Sequence, residues 1–119
     1  MEQVYAWNPS LIFVTNFTKF GPEDLYNNTV GTYDWSAVDA VKNHQVYKMP
    51  LGMYRSYTPG VDTPVTLLWL AKSAYPQLFN DIDLIAETKA YYQEVFGIAL
   101  TDEQASAIFA PPAEAGTGF

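Results

Sequence analysis

Leu11-Ile12-Phe13-Val14-Thr15 is an apolar run without polar alternation. A strand with one wet face alternates. An unbroken run of this length suits a strand of a parallel sheet covered on both faces. Working back from it, Glu2 to Trp7 reads as the last turns of a helix, stopped ahead of Asn8-Pro9 because proline disfavours helix in the residue before it. Working forward, Asn16 to Phe20 is the loop at the strand's carboxyl end. Gly21-Pro22-Glu23-Asp24 then opens a short helix, with proline at its first position and acids in its first turn.

The same signals carry the rest of the chain. Ser36-Ala37-Val38-Asp39 resembles a capping box and predicts a helix ending near Asn43. Gln45 to Met49 is a second, shorter strand, and Pro50 to Thr63 is a long loop. Asp62-Thr63-Pro64 caps a helix whose body, Val65 to Tyr75, is apolar almost all round and is therefore expected to be buried. Asp81 or Asp83 starts the next helix. Leu84, Thr88, Tyr91, Tyr92 and Val95 keep its helical period, and Gly97 stops it. A capping box at Thr101 to Gln104 opens the last helix, to about Phe109. Residues 1–110 are read as one α/β domain, and residues 111–119, rich in Pro, Ala and Gly, as a loose tail. Two strands make a marginal sheet. Further strands are expected from a longer protein, or from a second copy pairing on the open sheet edges as a homodimer.

Composition narrows the function. The 119 residues are 49% hydrophobic and 16% charged, which fits a packed domain and excludes a disordered tail. A net charge of −7 argues against nucleic acid as a partner, since phosphate binding needs clustered positive charge. Without Cys there is no disulfide and no thiolate site. The single histidine, His44, sits in a turn with no second ligand near it in sequence. No protein-built metal site or cofactor is expected, and any metal would arrive inside a bound chelate or oxyanion. No phosphate loop, nucleophile elbow or triad can be assembled, and Asp81 and Asp83 read as helix caps, so an enzyme is not expected. Met1 to Trp7 lacks the basic start and apolar stretch of a signal peptide.

The stretch Trp35-Ser-Ala-Val-Asp-Ala-Val-Lys-Asn-His-Gln-Val-Tyr-Lys-Met-Pro-Leu-Gly52 resembles a signature of class III periplasmic binding proteins. These are the helical-backbone receptors of ABC importers for ferric siderophores, haem, cobalamin and, in some members, molybdate or tungstate. Glu2-Gln-Val-Tyr-Ala-Trp-Asn-Pro-Ser-Leu-Ile-Phe-Val14, Asp62-Thr-Pro-Val-Thr-Leu-Leu-Trp-Leu-Ala-Lys72, Tyr75 to Asp83, and Tyr91-Tyr92 to Gly97 follow in family order. Ser10 stands where the family usually has Asp. The resemblance implies a partial three-layer Rossmann-like lobe, the C-terminal one. The N-terminal lobe, the linking helix and the first strands of this lobe are absent from the chain.

The resemblance also implies roles. Glu2 falls where such receptors present a carboxylate to arginines of the membrane permease. The loop after the second strand lies where open α/β sheets bind ligands, and it carries Arg55, the chain's only arginine, between Tyr54 and Tyr57. A guanidinium gives bidentate bonds to an anionic chelate, and the tyrosines offer ring faces or phenol oxygens. Asn16 and Phe17, beside Thr15, would belong to a cleft wall. Met49 and Met53 read as packing. The implied function is ligand binding for an iron-chelate importer, with a molybdate-type oxyanion receptor as the alternative, in a periplasmic or lipoprotein-anchored parent.

Overall fold

The computed structural model describes residues 1–116. The chain divides into two compact units: Met1–Met49 together with the segment beginning at Pro112, and Pro50–Pro111.

The first unit is built on two parallel strands, β1 (Ile12–Val14) and β2 (Val46–Lys48), with Ile12 opposite Val46 and Val14 opposite Lys48. Three helices serve them: α1 (Glu2–Trp7), α2 (Pro22–Tyr26) and α3 (Asp39–Lys42). Val14, Leu25, Val38, Ala40, Val41 and Val46 form the core, with Val4, Ile12, Tyr26, Val30 and Trp35 packed around it. Each fully buried aliphatic side chain of this kind contributes about 1.5–3 kcal/mol. β1 is less enclosed than its sequence predicts: Val14 is buried, but Ile12 and Phe13 are only half-buried. On the far side of β2, the Tyr26 hydroxyl lies 3.3 Å from Val46 N and 3.4 Å from Val46 O. A side chain therefore covers that edge where another strand would otherwise pair.

The capping box expected at Ser36 is not formed. Asp34 Oδ1 accepts from Ser36 N (3.0 Å) and from Ser36 Oγ (2.6 Å), so Asp34 caps a 3₁₀ turn, Trp35–Ala37, and takes the serine hydroxyl as a donor. The helix proper starts later. Its first free N–H, Asp39 N, donates to Asn8 Oδ1 at 2.9 Å, and Ala40 N donates to Pro9 O at 2.9 Å. Asn8 itself ends α1 in the left-handed conformation, with φ 41°. One asparagine thus closes one helix and caps another, 31 residues on.

The second unit holds α4 (Thr63–Ala74), α5 (Leu84–Phe96) and α6 (Asp102–Ile108), with α5 packed on both neighbours. The predicted signals act here. Asp83 Oδ1 accepts from Ala86 N, Gly97 at φ 67° ends α5, and Thr101 and Gln104 bond reciprocally. The expectation that α4 is buried all round is corrected. Val65, Thr66 and Trp69 face inward, whereas Leu67 is 59% exposed. Lys72 Nζ ties the end of α4 to Phe79 O and Ile82 O at 3.0 and 2.6 Å. Pro112 to Ala115, part of the first unit, form a turn, and Ala113 Cβ lies 3.0 Å from where a side chain on Gly21 would begin. Residues 117–119 of the expected loose tail lie outside the described residues. No described helix is long and apolar enough to cross a membrane.

Candidate functional site

In the second unit, the loop between Pro50 and α4 is a folded chain of turns. Ser56 N donates to Pro50 O at 3.2 Å, Thr58 N to Arg55 O at 2.9 Å, and Gly60 N to Thr63 Oγ1 at 2.7 Å. These turns bury the middle of the loop and leave its flanking tyrosines outside. Arg55 and Ser56 turn inward, at 9% and 8% exposure, while Tyr54 and Tyr57 stand out at 54% and 59%. Met53, expected to pack, is half exposed, whereas Met49 is buried. The Arg55 guanidinium sits 5.6 Å from the centre of the Tyr54 ring, with Nη1 3.5 Å from its hydroxyl. A cation over a tyrosine face is electrostatically favourable. The Ser56 hydroxyl is buried without a hydrogen-bond partner.

The base of the loop is Asp62. Its sequence position promises a helix cap, but the side chain makes no capping bond to α4. Instead Oδ2 accepts from Met53 N at 2.8 Å and from the Tyr92 hydroxyl at 3.2 Å. Asp62 and Tyr92 are both buried. Gly52 completes the arrangement: its φ is +51°, and a Cβ there would collide with Asp62 Oδ2. Burial, then the adjacent Asp62 carboxylate, pushes the Tyr92 phenol well above the ordinary tyrosine value near 10.

In the first unit, the carboxyl ends of β1 and β2 are organised by Lys48, which sequence reasoning missed. Its side chain is buried, and Nζ donates to Thr15 O (3.0 Å), Thr18 O (2.7 Å) and Phe20 O (2.8 Å). Three acceptors match the three donors of an ammonium. Burial pulls its pKa below the usual lysine value, and the Asp24 carboxylate opposes that. Asp24 is itself held below the usual carboxylate range, first by the Gly21 N–H and then by the Thr29 hydroxyl. The Lys48 latch shapes the loop carrying Asn16 and Phe17. Asn16 is fully buried, and its Nδ2 donates to Met49 O at 2.8 Å while its Oδ1 has no partner. Phe17 is half exposed.

The loop of the second unit therefore sets Arg55 against Tyr54 and carries Tyr57 exposed beside them in the chain, and Asn16 and Phe17 stand on a loop of the first. Glu2 is exposed in the first turn of α1. His44 is an exposed turn residue with φ 52°, its ring 4.5 Å from that of Tyr26. No group of His, Asp and Glu among the described residues could hold a metal ion. An open groove of about 670 Å³ runs along α5 and α6, but its Lys89 and Asp102 are already paired at 2.6 Å.

The chain is similar in sequence and fold to known proteins. No family model matches the chain. The molybdate-binding protein MolA of Haemophilus influenzae is 30% identical over 112 residues, 89% of this chain and 29% of that protein. A periplasmic solute-binding protein from Veillonella parvula matches with a TM-score of 0.86 and 33% identity, over 98% of this chain and 36% of that one. Helicobacter pylori CeuE, in a Ni-His complex, matches with a TM-score of 0.70 and 31% identity, over 91% of this chain and 32% of that one. The chain thus spans about a third of the length of each protein it matches. Its small parallel sheet flanked by helices has the fold of a lobe of a periplasmic solute-binding protein.

Proposed function

We propose that the chain forms one wall of the ligand cleft of an extracytoplasmic ABC-importer receptor, and that its ligand is a metal-containing anion: an iron chelate of the ferric siderophore or haem kind. The observation that carries this reading is Arg55. Its guanidinium lies against the Tyr54 ring beneath a loop surface that carries two exposed tyrosines, Tyr54 and Tyr57, so a positive charge and two phenols stand where an anionic complex would dock. The fold match to periplasmic solute-binding proteins supports the receptor role and the location, with a lipid anchor as part of the same proposal. A second reading, an oxyanion receptor, is favoured by the relative named for molybdate binding.

Amide spectra of the chain, titrated with molybdate and with gallium(III) analogues of a ferric catecholate and of haem, test both readings. One charge-assisted contact of about 1.5–3 kcal/mol and two ring contacts of about 0.5–1.5 kcal/mol each sum to a few kcal/mol, so binding on the order of millimolar is expected. The chelates should move the Tyr54 to Tyr57 amides, and Arg55→Lys should weaken the response about tenfold, because lysine lacks the planar fork. Response to molybdate alone selects the second reading; none at millimolar ligand overturns both. Sedimentation of the same sample reports whether copies pair along the β1 edge instead, the β2 edge being covered at Val46.

Glu2 is proposed to dock on basic residues of the permease, its exposure in α1 being the supporting observation. In a two-lobed receptor carrying this chain, Glu2→Lys should cut uptake about tenfold with ligand binding unchanged, as for one charge-assisted contact. Unaltered uptake refutes that role.

A further inference from the structure

We propose that Asp62, held by Tyr92, is the positioning residue that fixes the loop conformation in which Arg55 turns inward between two outward tyrosines. The inference deepens the Arg55 reading and rests on it for its ligand, but the clamp stands on its own geometry.

The loop runs from Gly52 to Asp62 with no strand or helix to fix its shape. Its turns are local and weak: Pro50 to Ser56, Arg55 to Thr58, Gly60 to Thr63. Local turns of this kind leave the direction of a side chain poorly determined. Two longer contacts tie the span: the Tyr91 hydroxyl donates to Val61 O at 2.6 Å, at the loop's end, and Asp62 joins its base to Met53. Asp62 Oδ2 takes the Met53 N–H nine residues back and the Tyr92 hydroxyl thirty residues on. The first bond pins the residue two before Arg55. The second ties the carboxylate to α5, whose ring cluster holds Tyr92 in place: Tyr91 and Phe96 lie edge-on to it at 6.5 and 5.1 Å. Bonds to an ionised acceptor are about twice as strong as neutral ones, and burial strengthens them further. A carboxylate directed at the N-terminus of α4 would satisfy the helix but leave Met53 loose. That Asp62 gives up this ordinary role is the sign that the loop is its function.

The clamp also has a pH signature. Below pH 10 Tyr92 is protonated in both folded and unfolded chains, and its contribution is fully present. Above 10 the unfolded chain releases the proton while the folded chain keeps it. Stability therefore falls as pH rises through that window, the unfolding constant growing by up to about tenfold per pH unit for one group. Tyr26, also raised by burial, adds in the same direction, so the test is the difference between variants.

The experiment uses the whole chain and two variants, Tyr92→Phe and Asp62→Asn. Phenylalanine keeps the ring contacts and removes only the hydroxyl. Amide hydrogen exchange at Met53 to Ser56 should rise about tenfold in Tyr92→Phe and more in Asp62→Asn, with α5 and α6 unchanged. Tyr92→Phe should also flatten the alkaline loss of stability. Exchange unchanged at Met53 in both variants overturns the clamp, as does an even rise over the whole unit, which marks mere destabilisation. The ligand arm repeats the titrations with molybdate and the gallium(III) catecholate. If wild type responds, both variants should weaken that response about tenfold, and an unweakened response overturns the positioning role. If wild type is silent, the Arg55 reading fails alone, and exchange still decides the clamp.

Discussion

Lys48→Met is expected to destabilise the chain by about 3 kcal/mol, seen as a lower urea midpoint with little change in slope. Methionine matches lysine in length but brings no donor. The carbonyls of Thr15, Thr18 and Phe20 lose the ammonium that holds them at 2.7–3.0 Å. Each charge-assisted bond is worth about 1.5–3 kcal/mol, so three would exceed the expected loss. Two effects reduce it. Removing the lysine also removes the cost of burying its charge, which is what pulls its pKa down. The loop can also rehydrate some of its carbonyls. The balance still favours lysine, because the change removes one partner and leaves the others in place, unlike replacing both by apolar groups. A loss below about 1 kcal/mol would mean that water replaces the ammonium fully, and that the latch does not shape the loop.

Gly52→Ala is expected to cost a similar amount, about 3 kcal/mol, and Gly97→Ala supplies its control. Both glycines have left-handed backbones, at φ +51° and +67°. An alanine pays about 1 kcal/mol for that conformation at either site. At Gly97 nothing lies within 4 Å of the new Cβ, so the cost should stop there. At Gly52 the methyl would occupy the place of Asp62 Oδ2 and come within 3.2 Å of Ser56 Oγ. The carboxylate must move, breaking its bond to Met53 and leaving buried polar groups unpaired, which adds about 2 kcal/mol. Denaturant titration of both variants isolates the clash as their difference. Equal costs would show that the Gly52 site relaxes freely and that Asp62 is not tightly held.

The path from sequence to fold was legible where the deciding signal is local. The apolar run at Leu11, the proline and acids of α2, Asp83 before α5, Gly97 after it and the Thr101 capping box each act within a few residues of the feature they specify. The grouping of Tyr54, Arg55 and Tyr57 on one loop was legible for the same reason. The misreadings have the opposite character. Ser36 looked like a cap, but Asp34 took its hydroxyl and Asn8 supplied the cap to α3. Asp62 looked like a cap and became the base of a loop. Lys48, in a strand, carried no local sign that three carbonyls would bury it, although a buried lysine is rare enough without partners that its place in the Val46 to Met49 run was a hint.

The sequence by itself determined the order of elements, their ends and the α/β class, because helix period, caps and breakers are properties of neighbouring residues. Tertiary structure alone decided which polar groups were buried, which way Asp62 and Asn8 turned, and which face of α4 met the core. Those choices are settled by partners up to 33 residues away, where a side chain's best hydrogen bond is fixed by the packing around it rather than by its neighbours in the chain.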